Sequence, residues 1–207
     1  MKTNLKVLTG AFFLLISLAF TARHTNQLPS AGASDKMVVS GTGDAGQRYQ
    51  MRQNLVSFGD DFWIDDSQGQ HKFKVNGKMV TVRQTLDFED LQGKTIVKIQ
   101  EKMLRVTDAI AIEDGAGNKA AEVKKAIISP VRDKYTVKIA NGPDMEVKGN
   151  IVDHEYTIEN GRQKIAEVSK KWFKIADTYG VEISAGQNDV LILAISVAID
   201  SMSHPAK

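Results

Sequence analysis

Apolar and polar residues alternate along the middle of the chain in short segments. Phe73 and Val75 alternate with Lys72 and Lys74, and residues 134–139 follow the same pattern. A period of two places successive side chains on opposite faces of an extended strand. These segments therefore predict strands with one buried face and one face in contact with water.

The turns between these segments share a sequence plan in which an aspartate precedes a glycine by three positions. Three such turns, Asp66–Gly69, Asp90–Gly93 and Asp114–Gly117, recur at intervals of 24 residues. Aspartate accepts hydrogen bonds from nearby backbone amides, and glycine readily adopts positive φ. The third turn is not a calcium loop, because Ala116 and Lys119 occupy its third and sixth positions. The plan predicts a series of β-hairpins.

A different pattern follows the last predicted strand. From Val190 to Ile199 the chain is uncharged and, apart from Ser196, apolar on every face of a helix, with Asn188 suited to cap it and Asp189 suited to the macrodipole. Ten residues rise about 15 Å, half of a bilayer's hydrocarbon core. We therefore predict a helix enclosed by a sheet that closes into a barrel. The predicted central-helix residues are Val190, Leu191, Ile192, Leu193, Ile195, Val197 and Ile199.

Several segments of the chain resemble the LURP-one-related family. They are Val168–Ser184, Asp189–Asp200, Gln53–Lys78 and Val152–Ile158. Members of this family are similar in fold to the tubby C-terminal domain and the phospholipid scramblases. The resemblance implies a mainly β fold, a tubby-like closed antiparallel barrel of about twelve strands around a central hydrophobic C-terminal helix. We assign residues 51–207 to this domain.

The first 50 residues differ from the rest. Two lysines precede an uncharged apolar run from residue 7 to residue 22, which is typical of a secretory signal or a short membrane anchor. A misplaced start, with Met37 or Met51 as the first residue, is the third interpretation. Residues 1–24 form the signal-like or anchor segment, and residues 25–50, rich in Ser, Gly, Ala and Thr, form a flexible linker. The expected location is membrane-anchored or secreted if residues 1–24 are translated, and cytoplasmic otherwise.

The amino-acid composition excludes several kinds of site and gives no support for one class of partner. The chain has no cysteine, which excludes disulfides, thiolate catalysis and sulfur-ligated metals. Its net charge of +2 gives no support for nucleic acid as a partner. The segment from Gly41 to Gly46 has the spacing of a dinucleotide-binding loop, but it lacks the buried strand before it and the amphipathic helix after it. No cofactor is predicted.

The densest group of candidate metal ligands is Asp153, His154 and Glu155. On a strand, His154 faces away from its two acidic neighbours, so we predict no metal site and expect His154 to be a hydrogen-bonded structural residue. Ser196 is expected to bond a carbonyl one turn back, and Asp200, which opposes the macrodipole, to reach solvent or a backbone amide at the barrel mouth. No acid or nucleophile lies near the remaining histidines in the sequence, which are His24, His71 and His204. We expect a non-enzymatic domain without catalytic residues.

The hypothesis of lipid binding comes from one short segment, residues 170–175. If this segment is a strand, Lys170, Trp172 and Lys174 lie on the outer face, while Phe173 and Ile175 point inward. Tryptophan favours the membrane interface, and each lysine near acidic lipid adds about 1 kcal/mol. The three outward residues are therefore lipid-binding candidates, with anionic phospholipid or a membrane surface as the partner.

Two other functions compete with surface binding. The resemblance also implies lipid translocation of the scramblase kind, which requires the central helix to leave the barrel.

Tubby-like domains are associated with phosphoinositides, but none of their head-group residues can be matched to this sequence. A protein-interaction scaffold is the third alternative, for which the sequence predicts no partner. The domain is expected to be monomeric.

Overall fold

The computed structural model describes residues 46–52, 61–80, 83–102, 109–126, 134–173 and 178–204. Within these ranges, twelve antiparallel strands close into a barrel and one α-helix follows them. The first six strands are β1 (Gln47–Arg52), β2 (Phe62–Asp66), β3 (His71–Val80), β4 (Arg83–Glu89), β5 (Thr95–Lys102) and β6 (Ala109–Asp114). The other six are β7 (Lys119–Ala126), β8 (Lys134–Ile139), β9 (Met145–Asn150), β10 (Glu155–Asn160), β11 (Gln163–Ser169) and β12 (Thr178–Ile183). A 3₁₀ helix, Lys170–Trp172, lies between β11 and β12, and the helix α1 is Asp189–Ser203.

Each strand pairs with its neighbours in sequence, and the barrel closes where β1 pairs with β12. In that pair Gln47 lies opposite Ile183 and Arg52 lies opposite Thr178. The predicted fold class, a closed antiparallel barrel with a helix at its C-terminal end, is confirmed. No helix among the described residues has the length and apolarity that crossing a membrane requires.

The predicted boundary between linker and barrel is wrong by four residues. Residues 47–50, placed in the linker by composition, belong to β1. Tyr49 and Met51 are buried inside the barrel, whereas Arg48 is exposed. Two apolar residues in a short, otherwise polar segment are too few for the alternation of apolar and polar residues to predict a strand. Residues 1–45, which include the predicted linker as far as residue 45, lie outside the described residues.

The aspartate–glycine turns have the predicted geometry. The carboxylate of Asp66 accepts hydrogen bonds from the backbone amides of Gln68 at 2.8 Å and Gln70 at 3.0 Å. The turns that begin at Asp90 and Asp114 repeat this arrangement. The glycines of the three turns, Gly69, Gly93 and Gly117, have φ of 77°, 76° and 85°, a backbone region that residues with a side chain rarely adopt. The local sequence thus fixes where each of these hairpins reverses.

The interior of the barrel is occupied by α1. An eight-stranded barrel is filled by its own side chains, so a ring of twelve strands leaves a wider interior. Val190 and all residues from Ile192 to Ser201 are buried, and the helix lies against β5, β6, β7 and β12. The Asn188 side chain accepts a hydrogen bond from the Leu191 amide at 3.1 Å, which confirms the predicted cap. The central helix therefore forms the core, with Leu191 only partly buried.

Replacement of Leu193 by alanine tests this packing. Leu193 has no exposed surface, so Leu193→Ala leaves a cavity between α1 and the strands. We expect a loss of about 2–5 kcal/mol in the free energy of unfolding, measured by urea denaturation. The same substitution at Leu91, which is 53% exposed in a turn, should change this free energy by less than about 0.5 kcal/mol. Equal losses in the two variants would contradict the enclosed helix.

Candidate functional site

A turn between β9 and β10 directs His154 into the barrel. The turn spans residues 151–154, and the amide of His154 donates to the carbonyl of Ile151 at 3.0 Å. His154 has a φ of 53°, the left-handed region that non-glycine residues seldom occupy. Such a conformation costs on the order of 1 kcal/mol or more and is found preferentially at functional sites. The result is an imidazole that is only 1% exposed.

The His154 ring meets the carboxylate of Asp200 near the C-terminal end of α1. His154 Nε2 lies 2.5 Å from Asp200 Oδ1, and the side chains of both residues are 1% exposed. The ring of His204 stacks on that of His154, with 4.9 Å between centroids and 3° between planes, and its Nδ1 lies 3.4 Å from Asp200 Oδ1. Three ionisable side chains from two separate parts of the chain thus share one location. We call them the His–Asp–His cluster.

The hydrogen bonds assign protons to two of the ring nitrogens. His204 Nε2 lies 3.2 Å from the carbonyl oxygen of Val152, which can only accept, so this nitrogen carries a hydrogen. His154 Nε2 faces a carboxylate and donates to it in the same way. The other nitrogen of His154, Nδ1, is buried and has no hydrogen-bond partner among the described residues.

The charge of Asp200 is unfavourable unless a cation is close. A buried carboxylate loses its hydration, and the negative end of the helix macrodipole repels it further. The hydrogen bond to Asp200 is the main reason that the pKa of His204 lies above its ordinary value of 6.5. Protonated His204 therefore compensates part of the buried negative charge.

Buried tyrosines surround the cluster on the barrel side. The ring of Tyr179 stacks on His154 with 4.3 Å between centroids, and the Tyr156 hydroxyl lies near Ser196 on α1. Burial, with the Asp200 carboxylate as a second cause, raises the pKa of Tyr179 and of Tyr156 above the ordinary value. Both phenols therefore stay neutral and add no charge to the site.

Chemically, the cluster combines two imidazoles and a carboxylate, the groups that exchange protons or bind transition metals. Ser203 lies 3.1 Å from His204 Nδ1, but its hydroxyl donates to the Ile199 carbonyl at 2.8 Å. That hydrogen bond stabilises the last turn of α1 and directs the hydroxyl hydrogen away from His204. Ser203 is thus a helix-end group rather than an activated nucleophile.

Three sequence-based expectations about these residues are wrong. His154 lies in a turn rather than on a strand, so strand alternation with Asp153 and Glu155 does not apply. Asp200 does not reach solvent, because its side chain is only 1% exposed and its carboxylate lies against His154 and His204. His204 does have an acid nearby in sequence, four residues earlier on the same side of α1. That spacing was the available signal, since residues four apart are neighbours on a helix. The expectation for Ser196 is confirmed, with a bond to the Ile192 carbonyl at 3.0 Å.

The predicted lipid-binding segment has a different geometry from the expected strand. Lys170 and Trp172 belong to the 3₁₀ helix, so alternation does not govern their directions. Ser169 caps this helix by accepting from the Lys171 amide at 3.1 Å, and the side chain of Lys171 is 79% exposed. Lys174 lies outside the described residues.

Trp172 packs on the outer wall of the barrel. A Cβ atom at Gly180 would lie 2.6 Å from a ring carbon of Trp172 and 2.7 Å from one of Phe173, so both rings rest where β12 has no side chain. Phe173 therefore lies outside the core, and the prediction that it points inward is wrong. The guanidinium of Arg48 lies 4.5 Å from the centre of the Trp172 ring, and Arg48 also pairs with Glu182. Trp172 is consequently half-buried.

The second tryptophan of the chain lies on the same wall, which the sequence reasoning missed. Trp63 on β2 is 40% exposed and stacks on His71 with 4.4 Å between ring centroids. The ammonium of Lys74 on β3 lies 6.0 Å from the centre of the Trp63 ring. Since β1 separates β2 from β12, the two tryptophans flank one strand. We define Trp63, Trp172, Arg48 and Lys74 as the tryptophan face.

Because the pKa of His204 is raised, we expect the free energy of unfolding to depend on pH. The measurement is made with a chelator present, so that metal ions do not contribute. The contribution of His204 is fully present below about pH 6.5 and is lost as pH rises through the higher pKa of the folded state. The difference in unfolding free energy between wild type and His204→Gln should therefore shrink from about pH 6 to about pH 9, measured by urea denaturation. In an Asp200→Asn background the same substitution should give a difference independent of pH. A constant difference in both backgrounds would refute the pairing of His204 with Asp200.

Comparison with known proteins gives a consistent family. The model of the family LURP-one-related matches residues 47–200. The protein YxjI of Bacillus subtilis (strain 168), named as uncharacterized, is 29% identical over 154 residues, which cover 74% of this chain and 92% of YxjI.

A solved structure agrees in fold. The X-ray structure of the Arabidopsis thaliana protein AT5G01750 matches with a TM-score of 0.58 and 16% identity, covering 77% of this chain and 92% of that one. At that identity the likeness concerns the fold alone. The family match extends from β1 to the last turn of α1, and it confirms the resemblance seen in the sequence: the chain belongs to the LURP-one-related family.

Proposed function

We propose that the barrel is a non-enzymatic binding domain that attaches to anionic membrane surfaces through the tryptophan face. The observation that carries the proposal is the exposed indole of Trp63, flanked by His71 and Lys74 on the outer wall. An indole has an apolar body and one N–H donor, and it is enriched where lipid head groups meet water. The Trp63 indole is 40% exposed, so part of its apolar surface is available for an external contact.

Cationic groups next to both indoles favour an anionic surface. Arg48 lies over Trp172, and Lys74 lies near Trp63. Lys170 and Lys171 belong to the same 3₁₀ helix as Trp172. Each cation close to acidic lipid contributes about 1 kcal/mol. The arrangement keeps the original candidates Lys170 and Trp172 and adds Trp63 as the more exposed ring.

Acidic partners limit the strength of this attraction. Arg48 pairs with Glu182, Lys74 with Asp61 at 2.5 Å, and Lys171 with Glu155 at 3.0 Å. Exposed ion pairs of this kind are weak and are screened by salt. We therefore expect a reversible association that weakens as the salt concentration rises.

Surface binding is favoured over lipid translocation because of the burial of α1. Translocation would require α1 to leave the barrel, yet Val190 and residues 192–201 are buried. Removing the helix would expose both its own apolar surface and the inner face of the strands to water. Binding through the outer wall requires no such rearrangement.

The two tryptophans are the natural probes, because the chain contains no others. We expect the fluorescence of the full chain to shift to shorter wavelength with vesicles containing phosphatidylserine, and to shift less with vesicles of phosphatidylcholine alone. Trp63→Phe should remove more of the shift than Trp172→Phe, because Trp172 is already half-buried. This readout reports on the tryptophan face even if another segment of the chain also binds the vesicle.

A charge reversal provides the matched control. Lys170→Glu should weaken the response to anionic vesicles by about fivefold or more, whereas Lys138→Glu, which changes the net charge equally, should have little effect. Lys138 is exposed on β8, on the far side of the closed strand order from β1. Identical spectra in anionic and neutral vesicles, or equal effects of the two reversals, would overturn the proposal and leave a protein ligand as the alternative.

A further inference from the structure

We propose that the His–Asp–His cluster binds one divalent transition-metal ion of the Zn²⁺ type, which fastens the C-terminal end of α1 to the turn at residues 151–154. The three ligands are His154, Asp200 and His204. This site is independent of the tryptophan face, which lies on the outer wall. Its role is to hold the central helix in the barrel.

The donor set suits a borderline metal ion. Two imidazole nitrogens and one carboxylate oxygen are common ligands of Zn²⁺ and of neighbouring first-row ions. The carboxylate of Asp200 is buried and needs a nearby positive charge, which a divalent cation supplies more fully than one imidazolium does. Three protein ligands leave one coordination position of a tetrahedral ion for water.

The distances within the cluster are close to those that coordination requires. Potential ligand atoms of the three residues all lie within 4.8 Å of one another. Ligands about 2.0–2.2 Å from a tetrahedral ion are about 3.4 Å apart. The separation of His204 Nδ1 from Asp200 Oδ1 is 3.4 Å, and that of His154 Nε2 from the same oxygen is 2.5 Å. Replacing the proton in the shorter contact by a metal ion therefore requires an opening of about 1 Å.

The surroundings already orient one ligand for coordination. A metal-bound histidine usually donates its other ring N–H to a backbone carbonyl or a carboxylate, which fixes the ring and the tautomer. His204 Nε2 donates to the carbonyl of Val152, so its Nδ1 is the atom that faces Asp200. The peptide of Val152 belongs to the same turn that carries His154. One short turn thus supplies a ligand and orients another.

The backbone of the cluster has an independent mark of function. His154 keeps a φ of 53° to bring its ring inward, although its Nδ1 then lacks a partner among the described residues. Both features are unfavourable for a residue that only fills space. The side chain of His204 is 21% exposed, which gives an ion a route from solvent to the buried pair. The cluster therefore offers three protein ligands and an access route for the ion.

The test uses the untagged full chain after removal of metals with a chelator and dialysis. Addition of Zn²⁺ should give a binding stoichiometry of one ion per chain by calorimetry. A ligand that binds only the folded state raises the melting temperature, and an excess of 100 times Kd should raise it by about 5–10 °C for a chain of this size. His204→Ala should abolish both effects, because it removes the partly exposed ligand.

His71→Ala is the matched control. His71 also pairs with an aspartate, Asp65 at 2.5 Å, but it lies on the outer wall and belongs to no comparable three-ligand group among the residues described. The rise in melting temperature should survive His71→Ala. Its loss there, or its persistence in His204→Ala, would place the ion elsewhere and overturn the proposal. No rise in the wild type would do the same.

Chemical labelling of wild type decides the matter if either variant fails to fold. Diethyl pyrocarbonate modifies free imidazole nitrogens and is read out residue by residue by mass spectrometry. Zn²⁺ should protect His204 from labelling and leave His71, whose side chain is 53% exposed, as reactive as before. Equal labelling of His204 with and without Zn²⁺ would refute the site.

Discussion

The structure depends on a match between the width of the barrel and the helix inside it. Twelve strands enclose more space than their own inward side chains fill, and α1 occupies the remainder. The helix depends on the strands in turn, since a helix that is apolar on every face needs apolar surroundings on every face. Close packing of such an interior makes each buried aliphatic side chain, such as that of Leu193, a substantial contributor to stability. The strands and the helix therefore form one cooperative unit.

The same enclosure gives polar residues at the end of α1 unusual importance. Asp200 and Ser196 belong to a helix with no solvent-facing side over most of its length, so their partners must come from the barrel or from the helix itself. Ser196 solves this locally, through the Ile192 carbonyl. Asp200 requires His154 and His204, which brings titratable groups into the interior. The candidate site is thus a consequence of the architecture as well as a feature placed upon it.

Sequence patterns predicted those parts of the molecule that short-range physics determines. Alternation, aspartate–glycine turns, the Asn188 cap and the length of the apolar segment each depend on neighbours along the chain, and each agrees with the structure. The pairing of His154 with Asp200 was missed because 46 positions separate them and the left-handed backbone of His154 has no local signal in the sequence. The Asp200–His204 pair had a local signal, its spacing of four residues. Trp172 was misplaced for a related reason. Its position depends on the missing side chain of Gly180, which pairs with β1 and β11 and not with the tryptophan segment itself.

The order of the elements along the chain has a consequence for biosynthesis. During translation all twelve strands leave the ribosome before α1, since the helix follows β12. Until the helix arrives, the inward faces of the nascent strands have nothing to pack against except one another. Closure also joins β1 to β12, the most distant pair of strands, which makes assembly slow relative to a fold built from local contacts. Newly made chains of this protein should therefore remain dependent on chaperones until α1 has been synthesised, as incomplete chains that expose apolar surface generally do.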